Sequence, residues 1–335
     1  MDENEIMVSI SMLTYNHEKY IRQALDSILM QKVNFKYEIV VGDDYSQDDT
    51  QDILNSYAQK FPDKFVLLLR DHNIGATNNS FDVKRHCKGK YIANLEGDDF
   101  WIDKNKLQIQ VDFLETHKSC DAVAHRHQIV NDKGDFQYLS HTNIELDRYF
   151  TKEDALVYGT RLCHPNTLMY RNFYRGCIDD YTIMRDSNKY GGHSLMIYLL
   201  ASRTDIYVMS RCMSAWRKVV SMQAHNFSSF AAKHPLLVSK NTFLKYINYR
   251  NYFGSIYNFS EHIKDAFVNT LFRIILSNEQ EKLKEVGSLY GLLNSKEKIT
   301  VWFKFVYKLV KYTPVKLYRC FLKRVNSRSQ RNKKY

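Results

Sequence analysis

Two periods of apolar residues alternate along the first hundred positions of the chain. Residues 7–13 (MVSISML) form an extended apolar run, the polar stretch Thr14-Tyr15-Asn16-His17 follows, and Ile21, Ala24, Leu25, Ile28 and Leu29 then recur at helical spacing. The same unit repeats. Residues 37–41 (YEIVV) read as a second strand ending in Gly42-Asp43-Asp44, with Ile53, Leu54 and Tyr57 marking the helix after it. Residues 65–69 (FVLLL) are a third strand, residues 78–87 a helix, and residues 91–95 (YIANL) a fourth strand. Strands alternating with helices imply an α/β class, a mostly parallel central sheet flanked by helices.

Beyond residue 100 the pattern predicts a helix through Leu107, Val111 and Leu114 with Asp103 as its N-cap, then a strand over residues 121–130. A loop entering a strand over 163–170, a buried helix over 194–201 and two short strands over 206–209 and 212–216 follow. His125 and His127 fall on one face of the strand 121–130. Half-buried strand histidines are commoner than a zinc site at this spacing, and no zinc is inferred. From about residue 226 the chain is rich in Tyr, Phe, Asn and Lys with helical periodicity. The expected organisation is one α/β domain over residues 1–225 and a helical C-terminal extension over residues 226–335.

Charge changes this picture at one end only. The chain has 48 Lys+Arg against 37 Asp+Glu, a formal charge of +11, but residues 296–335 alone hold 13 Lys or Arg and one acid, Glu297. A basic stripe along the main domain, as a nucleic-acid-binding protein needs, is not expected. In residues 300–312 (TVWFKFVYKLVKY), Lys304, Lys308 and Lys311 recur at i, i+4 and i+7, leaving Trp302, Phe303, Phe305, Val306, Leu309 and Val310 on the apolar side. Pro314 separates this stretch from a second basic-apolar one over 315–325. Such helices either lie at an anionic bilayer with their ammonium groups among the headgroups, or pack on the domain they follow. No apolar run approaches the ~18 residues that span a bilayer. Six cysteines are scattered without a Cys-x-x-Cys pair, and the first five residues lack signal-peptide character. The expectation is a cytoplasmic protein, peripheral at the inner face of the cell membrane.

The candidate chemistry gathers at strand ends. Thr14-Tyr15-Asn16, Asp43-Asp44, Arg70-Asp71 and Glu96-Gly97-Asp98-Asp99 each follow an apolar run, and parallel sheets bind ligands beyond the carboxyl ends of their strands. Taken in isolation, the acids at 96–99 read as a solvated turn capping the next helix. Sharing an edge with three other polar strand ends, they fit a site where a hard divalent ion, Mn²⁺ or Mg²⁺, holds a phosphate. Neither Gly-x-Gly-x-x-Gly nor a P-loop follows the first strand.

Four segments in order, SISMLTYNHEKYIRQALDSIL, YEIVVGDDYSQDDT, NIGATNNS and GKYIANLEGDDFWIDKNKLQIQVDFLE, resemble glycosyltransferase family 2, the inverting nucleotide-sugar enzymes with the GT-A fold. The LEGDD-aromatic-Trp block is similar to a bacterial subgroup that builds polysaccharides and other surface glycans. The resemblance covers residues 7–116 strongly, thins to about residue 220 and does not reach the C-terminal extension. It implies that Thr14, Tyr15 and Asn16 belong to the nucleotide-sugar pocket, the Tyr15 ring stacking on the base, and that Asp44, with Asp43, accepts a hydrogen bond from the nucleobase. Of Asp98 and Asp99, one would meet the ribose or a water and the other bind the metal. Glu96 stands where the motif often has its first Asp, which makes all three candidate ligands. The metal would bridge the donor diphosphate and neutralise the leaving nucleoside diphosphate.

The chain departs from the family pattern twice. The family's base is an Asp three residues before a Leu that opens a helix, and in Gly191-Gly192-His193-Ser194-Leu195 that position is Gly192. His193 one position over, a nearby acid such as Asp186 or Asp180, or loss of efficient catalysis each accommodates this. A neutral imidazole has a suitable intrinsic pKa, while a helix-start histidine bonded to backbone is the plain alternative. In Ser214-Ala215-Trp216-Arg217-Lys218-Val219, which resembles the family's Tyr-Arg-x-His segment near the donor phosphates, the Arg matches and the His does not. Arg217 or Lys218 pairs with phosphate oxygens there, or is a surface cation at a strand end.

The resulting expectation is a metal-dependent inverting glycosyltransferase of the hexosyltransferase type. It would move a sugar from a nucleotide-sugar, a UDP-sugar, to a glycan or lipid-linked acceptor in surface polysaccharide biosynthesis. The rivals are a degenerate donor-binding or scaffold protein, signalled by Gly192, and a nucleotidyltransferase. The latter would bring a Gly-rich, Arg/Lys-bearing loop that Thr14-Tyr15-Asn16-His17 does not supply.

Overall fold

The computed structural model describes residues 5–175, 182–187, 192–219, 227–277, 283–308 and 311. The expectations placed on Asp180, Gly191 and the stretch 315–325 lie outside the described residues. The chain divides into two compact units, residues 1–233 and 234–335.

In the first unit β1 (Ile6–Thr14), α1 (Ile21–Leu29), β2 (Lys36–Asp43), α2 (Thr50–Lys60), β3 (Phe65–Leu69), α3 (Ala76–His86) and β4 (Tyr91–Glu96) alternate as their apolar periods predict. β1 runs parallel to β2 and β4, and β2 parallel to β3. Val8, Ile10 and Met12 on one face of β1 and Ser9 and Ser11 on the other are all buried, as in a parallel sheet covered on both sides. α1 turns Ile21, Ala24, Leu25 and Ile28 into that core. Register does the rest. Thr14 pairs with Asp43, Asp43 with Leu69 and Leu13 with Glu96, so the polar residues after these strands finish level on one edge.

The chain continues through β5 (Phe100–Trp101), α4 (Lys106–Thr116), β6 (Ala122–Val130), β7 (Phe136–Leu139), β8 (Arg148–Phe150), α5 (Lys152–Tyr158), β9 (Met169–Arg171), α6 (Ile183–Asp186), α7 (Gly192–Arg203), β10 (Ile206–Arg217) and α8 (Phe227–Lys233). The sheet order is β3-β2-β1-β4-β9-β6-β10-β5, with β7 on β6 and β8 on β10. β9 is antiparallel to both β4 and β6.

Three local expectations are corrected. The two short strands expected over 206–216 are one strand, β10, with register shifts between Met209 and Cys212 and between Cys212 and Ser214. Such bulges bend a strand without ending it, and here they bring Ser214 and Ala215 opposite Trp101 and Phe100. Asp103 is not the N-cap of α4. That position is Asn105, whose N–H donates to Asp103 Oδ1 at 2.9 Å, while Arg211 pairs with Asp103 Oδ2 at 2.7 Å. His125 and His127 are buried, not half-buried.

The KLQ segment explains itself by packing. Lys106 is wholly buried, its ammonium 4.2 Å from the Trp101 ring centre and donating to Gln110 Oε1 at 2.6 Å. Burial drives its pKa well below the usual lysine value. The Gln110 amide donates to Val123 O and Thr167 O, and Trp101 Nε1 donates to Asn166 O at 3.0 Å. These contacts tie the acidic loop to the 3₁₀ turn Pro165–Thr167.

The second unit contains α9 (Pro235–Phe253), α10 (Ser260–Ser277), α11 (Leu283–Gly291) and a helix over 295–308. Phe243, Tyr249, Phe253, Phe259 and Phe267 are among its buried side chains. Glu297 is fully buried, held by Arg250 Nη1 at 2.8 Å and Asn294 N at 2.9 Å. In the helix 295–308, Lys304 and Lys308 turn toward α10. Lys304 pairs with Glu261 and Asp265 on α10, each at 2.7 Å, and Lys308 donates to Asn269. Val301 and Phe305 are buried, whereas Phe303 is 75% and Tyr307 65% exposed, with Trp302 and Val306 about half exposed. No helix among the described residues is long and apolar enough to cross a membrane.

Candidate active site

The β1 and β2 ends are held to one another by hydrogen bonds. Asn16 adopts φ +55°, a left-handed conformation that Asn tolerates better than most residues. Its N–H donates to Ser46 Oγ, its Oδ1 accepts from Gln47 N, and His17 N donates to Thr50 Oγ1, each at 2.8 Å. Asp43 is fully buried and accepts from Ser46 N, Ser46 Oγ and Gln51 Nε2. Its carboxylate therefore closes the turn after β2. Asp44 accepts from Ile74 N at 2.8 Å and Gly75 N at 3.0 Å, which joins the turn after β3 to this edge. Burial raises its pKa despite those bonds and the nearby Arg70. Tyr15 is partly exposed on the same loop, and Thr14 is buried with its Oγ1 unpartnered.

Gly97 lets the β4 end approach this loop. Its N–H donates to Leu13 O at 2.8 Å, and a Cβ there would stand 2.8 Å from both Thr14 Oγ1 and His17 Nδ1. The acids on either side of it lie close enough to influence one another. Asp99 is 1% exposed, with Oδ1 accepting from Arg217 N and Oδ2 from Asn166 Nδ2, both at 2.8 Å. Its pKa is raised well above the carboxylate range by burial, then by Asp98 and Glu96. Glu96, half-buried, is raised to about 7 by burial and by Asp98, with Lys84 opposing. Two carboxyls pushed toward protonation, with a third acid beside them, are the electrostatic condition a cation relieves.

Arg217, expected to meet donor phosphate, is turned inward. It is 3% exposed, and all three guanidinium nitrogens donate to protein oxygens: Nε to Asp98 O, Nη1 to Asn131 O and Asp132 O, and Nη2 to Gln23 Oε1. Its backbone and side chain together fix the acidic loop. A matching Arg in a matching segment could not reveal that, because its direction depends on the bulged course of β10. Asp186 is exposed and bonded through both oxygens to Arg185, which holds its carboxyl below the usual range and weakens it as a base.

His164 is the residue the sequence reading missed. Glu96, Asp99 and His164 each place one ligand atom within 4.8 Å of the others. His164 Nδ1 lies 3.6 Å from Asp99 Oδ2 and is buried without a hydrogen-bond partner. The ring stacks on Trp216, with centroids 4.9 Å apart, and His127 and His193 lie 5.3 and 6.1 Å away. His193 Nε2 meets Cys163 O at 2.9 Å. A carbonyl only accepts, so Nε2 carries a proton toward it. Burial, with the neighbouring imidazoles, pushes the pKa of His164 well below the usual value and that of His127 to about 3. The signal for His164 was present in Cys163-His164-Pro165-Asn166, but only the fold sets that segment against residue 99.

The family model described as Glycosyl transferase family 2 matches residues 9–177, half of the chain. The chain belongs to this family. An uncharacterized protein of Mycobacterium tuberculosis is 36% identical over 160 residues, covering 45% of this chain and 46% of that protein. Thus the match spans about half the length of that curated relative. WfaP of Escherichia coli, named as a UDP-Glc:alpha-D-GlcNAc-diphosphoundecaprenol beta-1,3-glucosyltransferase, is 34% identical over 116 residues, 33% of this chain and 43% of its own. Among solved structures, Staphylococcus aureus TarS in complex with UDP-GlcNAc aligns with a TM-score of 0.61 at 18% identity, covering 93% of this chain and 88% of that one. At that identity the likeness is one of fold, and the fold of this family 2 chain is GT-A.

Proposed function

We propose that this family 2 protein is a metal-dependent inverting glycosyltransferase that moves a sugar from a UDP-sugar to a lipid-linked glycan in surface polysaccharide biosynthesis. The observation that carries the reading is the juxtaposition of two half-sites on one sheet edge. A locked polar loop at Thr14, Tyr15, Asn16 and Asp44 stands beside the acids Glu96, Asp98 and Asp99, of which Glu96 and Asp99 are pushed toward protonation. The relative WfaP, whose name gives a UDP-sugar donor and a diphosphoundecaprenol acceptor, supports the substrate classes.

In this reading Tyr15 and Asp44 orient the nucleoside, and Glu96, Asp98 and Asp99 are the oxygen donors for Mn²⁺ or Mg²⁺. The bound ion supplies charge neutralisation at the leaving diphosphate. The donor set fits such an ion, since hard oxygens gathered under mutual repulsion are what it selects. Arg217 and Asn166 hold Asp99 in place, and Gly97 keeps the acidic loop against the nucleotide loop. His193 takes the acceptor proton in place of the carboxylate that Gly192 lacks. Nucleotide-sugar hydrolysis and transfer assayed with and without Mn²⁺ test the proposal. Failure of the purified chain to bind or turn over any nucleotide sugar would overturn it.

Gly192 at the start of α7 favours a second reading, a donor-binding protein without efficient transfer. UDP binding by calorimetry, with no transfer over a broad acceptor panel and no effect of His193→Ala, would establish that reading instead.

The membrane face of the proposal rests on the exposed side of the helix 295–308. Trp302, Phe303, Val306 and Tyr307 face outward there, and residues 309–335 bring nine more Lys or Arg and no acid. Aromatic side chains inserting beside cations are how a peripheral helix meets an anionic bilayer. Sedimentation with phosphatidylglycerol vesicles, but not phosphatidylcholine vesicles, is expected. Phe303→Asp should reduce it about tenfold, and unchanged sedimentation of that variant would remove the aromatic face from the account.

A further inference from the structure

We infer that His164 is a nitrogen ligand of the metal, so that the site is a mixed oxygen and imidazole set instead of the acids-only motif read from residues 96–99. The inference rests on the metal-dependent reading above and goes further by naming a ligand from outside the motif. Four observations carry it. His164 Nδ1 and Asp99 Oδ2 are 3.6 Å apart, beyond hydrogen-bond distance. Two atoms each about 2.1 Å from one ion and roughly at right angles are about 3 Å apart, so a small side-chain adjustment lets both reach a shared ion.

Second, Nδ1 is a buried polar atom without a partner, a state that native structures rarely leave unexplained. Third, Glu96 offers an oxygen within the same 4.8 Å cluster. Fourth, the imidazole is held from several sides before any ion arrives. It stacks on Trp216, His164 O accepts from both Thr167 N and Thr167 Oγ1, and Asn166 in the same turn donates to Asp99 Oδ2. A ligand fixed in this way loses little freedom on binding. The chemical consequence is selectivity. Imidazole favours borderline ions, so Mn²⁺ and Co²⁺ should be preferred to Mg²⁺ more strongly than a carboxylate-only site would prefer them.

The test uses the purified full chain loaded with Mn²⁺ alone and read by electron spin-echo envelope modulation, which detects a directly bound imidazole nitrogen. The wild-type chain should show that nitrogen coupling. His164→Gln should lose it and weaken Mn²⁺ binding about 10- to 100-fold, while His127→Gln and His193→Gln keep it. Bound Mn²⁺ without nitrogen coupling in the wild-type chain overturns the inference and leaves the metal reading standing, as does coupling that survives His164→Gln. No Mn²⁺ binding at all overturns both.

Discussion

At the β2 end of the binding edge Asp43 accepts three hydrogen bonds and Asp44 two, from the turns around them. At the β4 end the carboxylates of Glu96 and Asp98 accept none among the described residues, and Asp99 accepts two while crowded by the other acids. The same residue type thus does opposite work a few ångströms of sheet apart. Asp43, saturated by three donors from the turn it closes, is structural, whereas Asp44 with two keeps acceptor positions open on the edge. Unsaturated carboxylates that repel one another store an electrostatic cost that only protonation or a cation relieves.

The sharpest way to break this contrast is at Asp99. Asp99→Asn should lower metal-dependent turnover by about 10³-fold while moving the melting temperature by only a few degrees. Removing one of three repelling charges offsets the mismatched contact with Asn166. A variant retaining a tenth of the wild-type rate would place the metal elsewhere. At the other end Asp43→Ala should cost about 2–4 kcal/mol of stability, because it strands Ser46 N, Ser46 Oγ and Gln51 Nε2. Chemical denaturation reads that loss, and a shift under about 0.5 kcal/mol would mean that the carboxylate is not saturated.

Gly97→Ala probes the seam between the two ends. Its Cβ would press on Thr14 Oγ1 and His17 Nδ1, so a loss of about 1–3 kcal/mol is expected, with donor KM rising more than kcat falls. The smallest effect is pH dependence without metal. Glu96 is raised from 4.5 to about 7, so the folded chain holds a proton that the unfolded chain has released. Its stabilising contribution is complete in acid and is lost as pH rises from about 4.5 to about 7. Melting temperatures of metal-stripped protein should fall across that window, and Glu96→Gln or added Mn²⁺ should flatten the fall. A wild-type profile no steeper than that of Glu96→Gln would show that the carboxyl is not raised.

The alternating elements from residue 6 to 96 were legible because each strand and helix buries its own periodic face, a local property of the chain. Their polar ends were legible as a shared edge for the same reason: a parallel sheet brings successive carboxyl ends together. After residue 100 the reading weakened where structure became non-local. β10 looked like two strands because a bulge interrupts alternation without ending the strand. The spacing of Lys304 and Lys308 left two orientations open, because burial is decided by partners, and those partners, Glu261, Asp265 and Asn269, lie on another helix.

From sequence alone came the class of fold, the edge where polar strand ends gather and the acids proposed as its site, since all three follow from periodicity and residue type. Tertiary structure alone decided which acids are saturated, turned Arg217 inward onto the loop it supports, and set His164 beside Asp99 across 65 residues of chain. Direction and partnership of side chains depend on contacts distant in sequence. The acidic cluster could therefore be found from its neighbours in the chain, while its hydrogen-bond state and the nitrogen beside it required the fold.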